Sequence, residues 1–247
     1  MNAIILAAGF GTRLKPWTER HPKALVKVEG EAMLGRQIQN LSARGFNKIC
    51  INTHHFHSQI QDYLFNHSFD AEIILSDERD MILDTGAGVL KAFGLFGDNE
   101  PVLVHNVDIL SNADLKKLYM EHFNSGADVT LLVSKRDSSR RLLFDKDMRL
   151  KGWKDVEKNI YKPADVSLDN NLSAYAFSGI YMIGNPAVEE MKIIEEREAF
   201  PIMDYFLNPR RQCIIKGTSD ENLVLLDIGK PATFAQASDI LKIIKGL

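Results

Sequence analysis

Short apolar runs alternate with longer amphipathic stretches through the first half of the chain. Residues 3–6, 48–52, 72–75, 101–104 and 129–133 are brief and almost wholly apolar, the pattern of strands buried on both faces of a sheet. Between them, residues 33–43 carry Leu34, Ile38 and Leu41 at helical spacing and stop at Gly45. Residues 57–65, 89–96 and 114–123 continue the alternation as helices. This series predicts an α/β fold around a mostly parallel sheet, whose ligands lie beyond the carboxyl ends of the strands. That rim would carry Gly9, residues 77–88 and Asp108.

The pattern changes after Lys135. Residues 142–144 and 149–153 flank Asp145-Lys146-Asp147 and predict a hairpin. Residues 155–171 are polar, contain a proline and read as a long loop. A long strand is expected over 173–182, a helix over 201–207, and strands over 212–216 and 222–227. Pro231 opens a last helix with Phe234, Ile240 and Ile243 on its apolar side. The expected organisation is one domain over residues 1–247, its halves meeting between 135 and 136, with a small β-rich lobe in the second half.

Composition narrows the options. With 247 residues, 45% of them apolar, the chain can bury a substantial core. A net charge of -3 gives no bulk footprint for nucleic acid. No apolar run approaches the ~18 residues of a membrane span, and the N-terminus lacks a secretory pattern, so a cytoplasmic protein without membrane insertion is expected. Cys50 and Cys213 both fall in apolar runs and read as buried thiols rather than a disulfide framework. His54, His55 and His57 lack partners at metal-ligand spacing and read as a polar loop; Glu189, Glu190, Glu195 and Glu196 read as a solvated acidic face.

The candidate chemistry lies where packing does not explain the residues. Gly9 and Gly11 follow the first strand, where glycine lets backbone N–H groups approach an anion closely, and Thr12 and Arg13 add donors. An ordinary turn bearing a surface arginine is the plain alternative. GFGTRL has no third glycine, and GxxxxGK[ST] is absent, so a dehydrogenase or P-loop reading fails. Asp108 and Asp227 each end an apolar strand, which a helix cap would also explain.

LAAGFGTRLKPWT followed by HPKALVKVEG closely resembles the signature of the sugar-1-phosphate nucleotidyltransferases. LDTGAGV, HNVDI, AFSGIYMI and VLLDIG follow in that family's order. The chain resembles most the short bacterial branch containing N-acetylmuramic acid 1-phosphate uridylyltransferase, which consists of the catalytic domain alone. The resemblance implies a Rossmann-like nucleotidyltransferase fold, with a central mixed, mostly parallel sheet. It implies residues 1–135 as the nucleotide-binding half and 136–247 as the sugar-phosphate-binding half with the C-terminal helix. It also implies a nucleoside triphosphate and a sugar 1-phosphate as partners, Mg2+ as cofactor, and a monomer or weak homo-oligomer.

Residue roles carry over by the same route. Arg13 would grip the β and γ phosphates and Lys23 the α-phosphate or the incoming one, both catalytic with Asp108. Leu6, Ala7, Ala8, Gly9, Gly11, Thr12 and Arg13 would line the nucleotide, joined by Asp84, Thr85 and Gly86. Asp108 and Asp227 would share the metal. Asn106, Trp153 and Gly179 would face the acceptor. The family commonly has Glu-Thr-Gly-Gly-Gly where this chain has Asp84-Thr85-Gly86-Ala87-Gly88, and Gly-Asp where it has Val107-Asp108. That valine would narrow the pocket, and it leaves a catalytically weakened binding regulator as one alternative. A cytidylyltransferase acting on phosphocholine and a mannose-1-phosphate guanylyltransferase are the others.

Overall fold

The first strand fixes the layout: β1 (Asn2–Leu6) is flanked by a parallel strand on either side and buried over most of its length. The computed structural model describes residues 1–97, 99–169, 171–229 and 231–245, with only the backbone described at Leu168, Pro231 and Lys245. After β1 the chain forms three single turns of 3-10 helix, Thr12–Leu14, Trp17–Glu19 and Lys23–Leu25. A small hairpin of β2 (Lys27–Val28) and β3 (Glu31–Ala32) leads into α1 (Met33–Ser42). The alternation then runs β4 (Lys48–Thr53), α2 (His57–Phe65), β5 (Glu72–Asp77), α3 (Asp84–Gly94) and β6 (Val102–Asn106). Next come the short β7 (Ile109–Ser111), α4 (Leu115–Ser125) and β8 (Val129–Ser134). Asp114 caps α4 through Lys117 N–H at 2.9 Å.

The second half opens with the predicted hairpin, β9 (Arg140–Phe144) and β10 (Leu150–Asp155). Residues 155–171, expected as a loop, contain β11 (Ile160–Lys162) and a 3-10 segment, Ala164–Leu168; Asn170 lies outside the described residues. β11 exists because β10 offers it a free edge, a tertiary gain that a polar sequence does not display. The long β12 (Ser173–Ile183) is followed by α5 (Asn185–Ile194), α6 (Ile202–Phe206) and β13 (Ile215–Ser219). Then come β14 (Leu225–Asp227), α7 (Pro231–Phe234) and α8 (Ala237–Lys245), so the single last helix expected from Pro231 is broken in two.

In the main sheet, β5, β4, β1 and β6 lie side by side and parallel. β12 runs antiparallel to β6 and β8, and β13 pairs parallel with β8. The N-terminal end of β12 pairs with β9 and so carries the hairpin lobe on the same sheet. The result is a Rossmann-like α/β fold with a mixed, mostly parallel sheet between helices and a smaller β-rich lobe. Ile4, Val104, Tyr181 and Phe206 belong to one core cluster, and Ile5, Leu34, Ile38, Leu103 and Ile180 to a second. A third smaller cluster holds Val26, Met33, Leu226 and Ile228. Every strand of the parallel group thus has apolar cover, as the unbroken apolar runs required.

Two further expectations are corrected. Glu190 is only partly exposed and is held in place: it accepts hydrogen bonds from the Tyr205 hydroxyl at 2.8 Å and from the backbone N–H groups of Gln212 and Cys213. Cys213 is only partly buried, whereas Cys50 is fully so, its thiol pushed up to about 12 by burial.

Candidate functional site

A cleft of about 560 Å3 opens at the carboxyl ends of β1 and β6. Its wall is made by Leu6, Ala7, Ala8, Gly9 and Phe10 as the chain leaves β1, with Asn106, Val107, Asp108 and Ile109 beside them at the end of β6. Arg13, Lys23, Asp84, Thr85 and Asp227 complete it together with Asn52, Glu78 and Ile82.

The centre is charged. β14 lies antiparallel to β7 with Asp227 opposite Ile109, and Ile228 N–H donates to the Asp108 carbonyl at 3.0 Å. This pairing brings two aspartates distant in sequence to one place. A Cβ built on Gly229 would lie 2.8 Å from Asp108 Oδ2, 2.8 Å from Asp227 Oδ1 and 2.9 Å from Lys23 Nζ. The three groups therefore surround a single backbone position, where a side chain would crowd all of them. Lys23 Nζ is bonded to Asp108 Oδ2, and both side chains are largely buried. Arg13 Nη1 stands 3.9 Å from Asp227 Oδ2, with both side chains partly open to the cleft. Burial raises the Asp108 pKa; the Lys23 ammonium opposes the rise and the Asp227 charge adds to it. Asp227 is held below its ordinary value in spite of its burial. The Gly229 N–H at 2.7 Å, Asp108, Lys23 and Arg13 all favour its charged form.

The glycine-rich turn works through shape. Gly11 has φ +62°, and a Cβ there would meet Lys23 Cβ at 2.9 Å and Thr18 Cγ2 at 3.0 Å. Its carbonyl accepts from the Thr18 hydroxyl at 2.9 Å. Gly11 therefore lets the turn lie against the segment that carries Lys23. It does not line the cleft, and neither does the exposed Thr12.

Beneath the Ala7–Ala8 turn lies a polar network that the sequence did not announce. Asn52 Oδ1 accepts from Ala7 N–H at 2.6 Å and Ala8 N–H at 3.3 Å. Asn52 Nδ2 donates to Glu78 Oε1 at 2.8 Å, and Glu78 Oε2 accepts from Leu83 N–H at 3.2 Å. Burial raises the Glu78 pKa, opposed chiefly by Asn52. This network joins the end of β1 to the start of α3. That helix begins five residues before the expected position, at Asp84, which has φ +59° and accepts from Thr85 N–H at 2.6 Å. The glycines of the DTGAG stretch are thus helical and pack closely. Gly88 leaves room for Asn52 and Glu78, and a Cβ on Gly86 would lie 2.8 Å from the Phe200 carbonyl. Gly86 donates its N–H to that carbonyl and does not line the cleft.

The acceptor-side residues divide. Asn106 lines the cleft. Gly179 has φ +75° at a shift in the β12–β8 register, and a Cβ there would lie 2.6 Å from Asn106 Nδ2. Gly179 thus seats Asn106 and is itself buried. Trp153 is not brought to this cleft; it walls a separate cavity of about 290 Å3 with Arg140, Lys162 and Phe177. Val107 is 3% exposed and packs with Ala7, Ala24 and Ile109. It belongs to that core cluster and at the same time lines the cleft. Gly229, Asn52, Glu78 and Phe10 were missed; only Gly229 had a signal, within VLLDIG.

Two hard oxygen ligands at one point suit a divalent cation that completes its shell with water and substrate phosphates. No cluster of three or more His, Cys, Asp or Glu side chains is found among the described residues. Among the described residues, Asp108 and Asp227 are the carboxylates that converge beside Gly229 and could hold it.

Known proteins resemble this chain over much of its length. N-acetylmuramate alpha-1-phosphate uridylyltransferase of Caulobacter vibrioides is 34% identical over 141 residues, covering 56% of this chain and 54% of that protein. Mannose-1-phosphate guanylyltransferase 1 of Arabidopsis thaliana is 28% identical over 207 residues, 81% of this chain and 55% of that protein. The chain spans about half the length of these relatives. D-glycero-alpha-D-manno-heptose 1-phosphate guanylyltransferase of Aneurinibacillus thermoaerophilus is 26% identical over 244 residues, 98% of this chain and 99% of that one. No single branch stands out. The crystal structure of HddC from Yersinia pseudotuberculosis shares the fold, with a TM-score of 0.76 at 21% identity over 98% of this chain and 99% of that one. The family model described as nucleotidyl transferase matches residues 2–240, and the chain belongs to that family.

Proposed function

We propose that this protein transfers a nucleotidyl group from a nucleoside triphosphate to a sugar 1-phosphate, giving a nucleotide sugar and pyrophosphate. The observation that carries the reading is the convergence of Asp108, Asp227 and Lys23 around Gly229, with Arg13 beside Asp227, at the sheet rim of a nucleotidyl transferase chain. An oxygen of the acceptor phosphate forms a bond to the α-phosphorus, and the bond from that phosphorus to the bridging oxygen breaks as pyrophosphate leaves. The protein's work is to hold several anions together in line. Leu6, Ala7, Ala8 and Gly9 form a surface for the base, with Asp84 and Thr85 across the cleft. Arg13 takes the outer phosphates. Lys23, released from Asp108 as substrate enters, stabilises charge on the reacting phosphates. Asn106, seated by Gly179, meets the acceptor. Asp108 and Asp227 would hold Mg2+, which when bound supplies charge neutralisation between the two phosphates.

For the donor we favour UTP, and for the acceptor N-acetylmuramic acid 1-phosphate. The supporting observation is that two uridylyltransferases of that specificity are 34% and 38% identical over their matched regions. GTP with a hexose or heptose 1-phosphate is the second reading, favoured by the end-to-end match to the Aneurinibacillus enzyme. Product formation measured for UTP, CTP, GTP and dTTP against each sugar 1-phosphate decides between them. Preference for GTP overturns the UTP assignment and leaves the reaction class standing.

A further inference from the structure

Lys23 stands at the point where the two aspartates converge. Its Nζ donates to Asp108 Oδ2, the same oxygen that lies 2.8 Å from a Cβ built on Gly229. Asp227 Oδ1 is also 2.8 Å from that point, and Lys23 Nζ itself is 2.9 Å from it. The Lys23 and Asp108 side chains are only 14% and 11% exposed, so water screens this contact poorly. Arg13 faces the other aspartate at 3.9 Å across a more open space. Two cationic side chains therefore already answer the two carboxylates.

A divalent cation wants the same carboxylate oxygens at about 2.1 Å. It cannot share Asp108 Oδ2 with an adjacent ammonium without strong like-charge repulsion in a poorly screened place. Pushing the ammonium aside leaves a largely buried charge without its partner, which is costly. Metal on its own is therefore opposed by Lys23. An anion in the cleft reverses the balance, because Lys23 and Arg13 both line it and phosphate oxygens accept from both. Lys23 opens a three-residue turn after the extended Pro22, and its flexible stem lets the ammonium swing from carboxylate to phosphate. Asp108 is then left to the metal. We infer that Lys23 is an autoinhibitory contact that closes Asp108 to a divalent cation until a di- or triphosphate draws the ammonium away, so that metal and anion bind cooperatively. This coupling rests on the nucleotidyl-transfer reading above, and by linkage each ligand tightens the other by the same factor.

The test is equilibrium binding of Mn2+, which takes the same oxygen ligands as Mg2+ and is read directly by electron paramagnetic resonance. Wild type, Lys23→Met and Lys23→Met with Asp227→Asn are compared, with thermal melting as the check on folding. Lys23→Met is expected to bind Mn2+ alone roughly 5- to 100-fold more tightly than wild type, the range of ordinary coupling between sites. Adding Asp227→Asn should abolish that gain. Inorganic pyrophosphate, at matched free Mn2+, should tighten Mn2+ binding by wild type more than by Lys23→Met. Lys23→Gln removes the charge and keeps a hydrogen-bond donor; it should gain Mn2+ affinity as well, and it carries the test if the methionine protein fails to fold. Equal affinity of wild type and Lys23→Met for Mn2+ alone overturns the coupling and leaves the transfer reading standing. A gain that survives Asp227→Asn overturns it too, since the metal would then lie elsewhere. Mn2+ bound by no form, with or without pyrophosphate, overturns the metal assignment and the underlying reading with it.

Discussion

Replacing Gly229 by alanine is the sharpest probe of how the charged centre is built. The new Cβ would sit 2.8 Å from two carboxylate oxygens and 2.9 Å from the Lys23 nitrogen. Carbon–oxygen contacts ordinarily lie at about 3.3–3.6 Å, so these groups must retreat by roughly 0.5 Å or more. Misplacement of catalytic groups by about 1 Å costs on the order of 10²-fold in rate, so kcat/KM should fall about 10- to 100-fold. That fall corresponds to ~1.4–2.7 kcal/mol of transition-state stabilisation. The fold should tolerate the change, because Gly229 is not among the glycines of positive φ and the crowded atoms are side-chain ends. A melting temperature within a few degrees of wild type is expected. Continuous pyrophosphate release with both substrates varied is the assay. Gly94→Ala is the control, since a Cβ there meets nothing within 4 Å. Wild-type kinetics in Gly229→Ala would refute the claim that these three groups must close around that backbone to work.

Lys23→Ala should lower kcat/KM by on the order of 10²–10⁴ without unfolding the protein, and unchanged kinetics would remove Lys23 from the chemistry. Gly86→Ala should act on stability instead. Its Cβ would press on the Phe200 ring and carbonyl, costing about 1–3 kcal/mol and a few degrees of melting temperature per kcal/mol, with the donor KM little changed. Acid stability should carry a contribution from Asp77, whose hydrogen bond to Arg79 lowers its pKa to about 2. A depressed carboxylate stabilises the fold above its unfolded pKa near 3.8 and loses that contribution as pH falls toward about 2. The pair is exposed, so the increment should stay below ~1 kcal/mol; Asp77→Asn should flatten stability across that window in urea titrations at graded pH.

The parallel core was legible because its inner strands β1, β4 and β6 are covered on both faces and therefore largely apolar. The turns from Gly9 to Lys23 stood out for the opposite reason, as polar residues and glycines where packing wants neither. Asp108 and Asp227 could be paired by family order, but their convergence on Gly229 depends on the β7–β14 pairing of two three-residue strands, too short to leave a period. The Asn52–Glu78 network was hidden because burial of a polar side chain is set by tertiary neighbours. The early start of α3 was masked by glycines that read as loop and in fact admit Phe200, Asn52 and Glu78 against the helix. Trp153 showed an aromatic suited to a sugar wall, but sequence could not say that the hairpin turns it toward a different cavity.

The central claim meets its most direct test in one measurement: pyrophosphate released by wild type and by Asp108→Asn with a nucleoside triphosphate and a sugar 1-phosphate present together, with each substrate omitted in turn. The expected result is release that requires both substrates, yields the nucleotide sugar in equal amount and falls at least about 10³-fold in the variant while its melting temperature holds. Release without acceptor, or an active Asp108→Asn protein, would contradict the account.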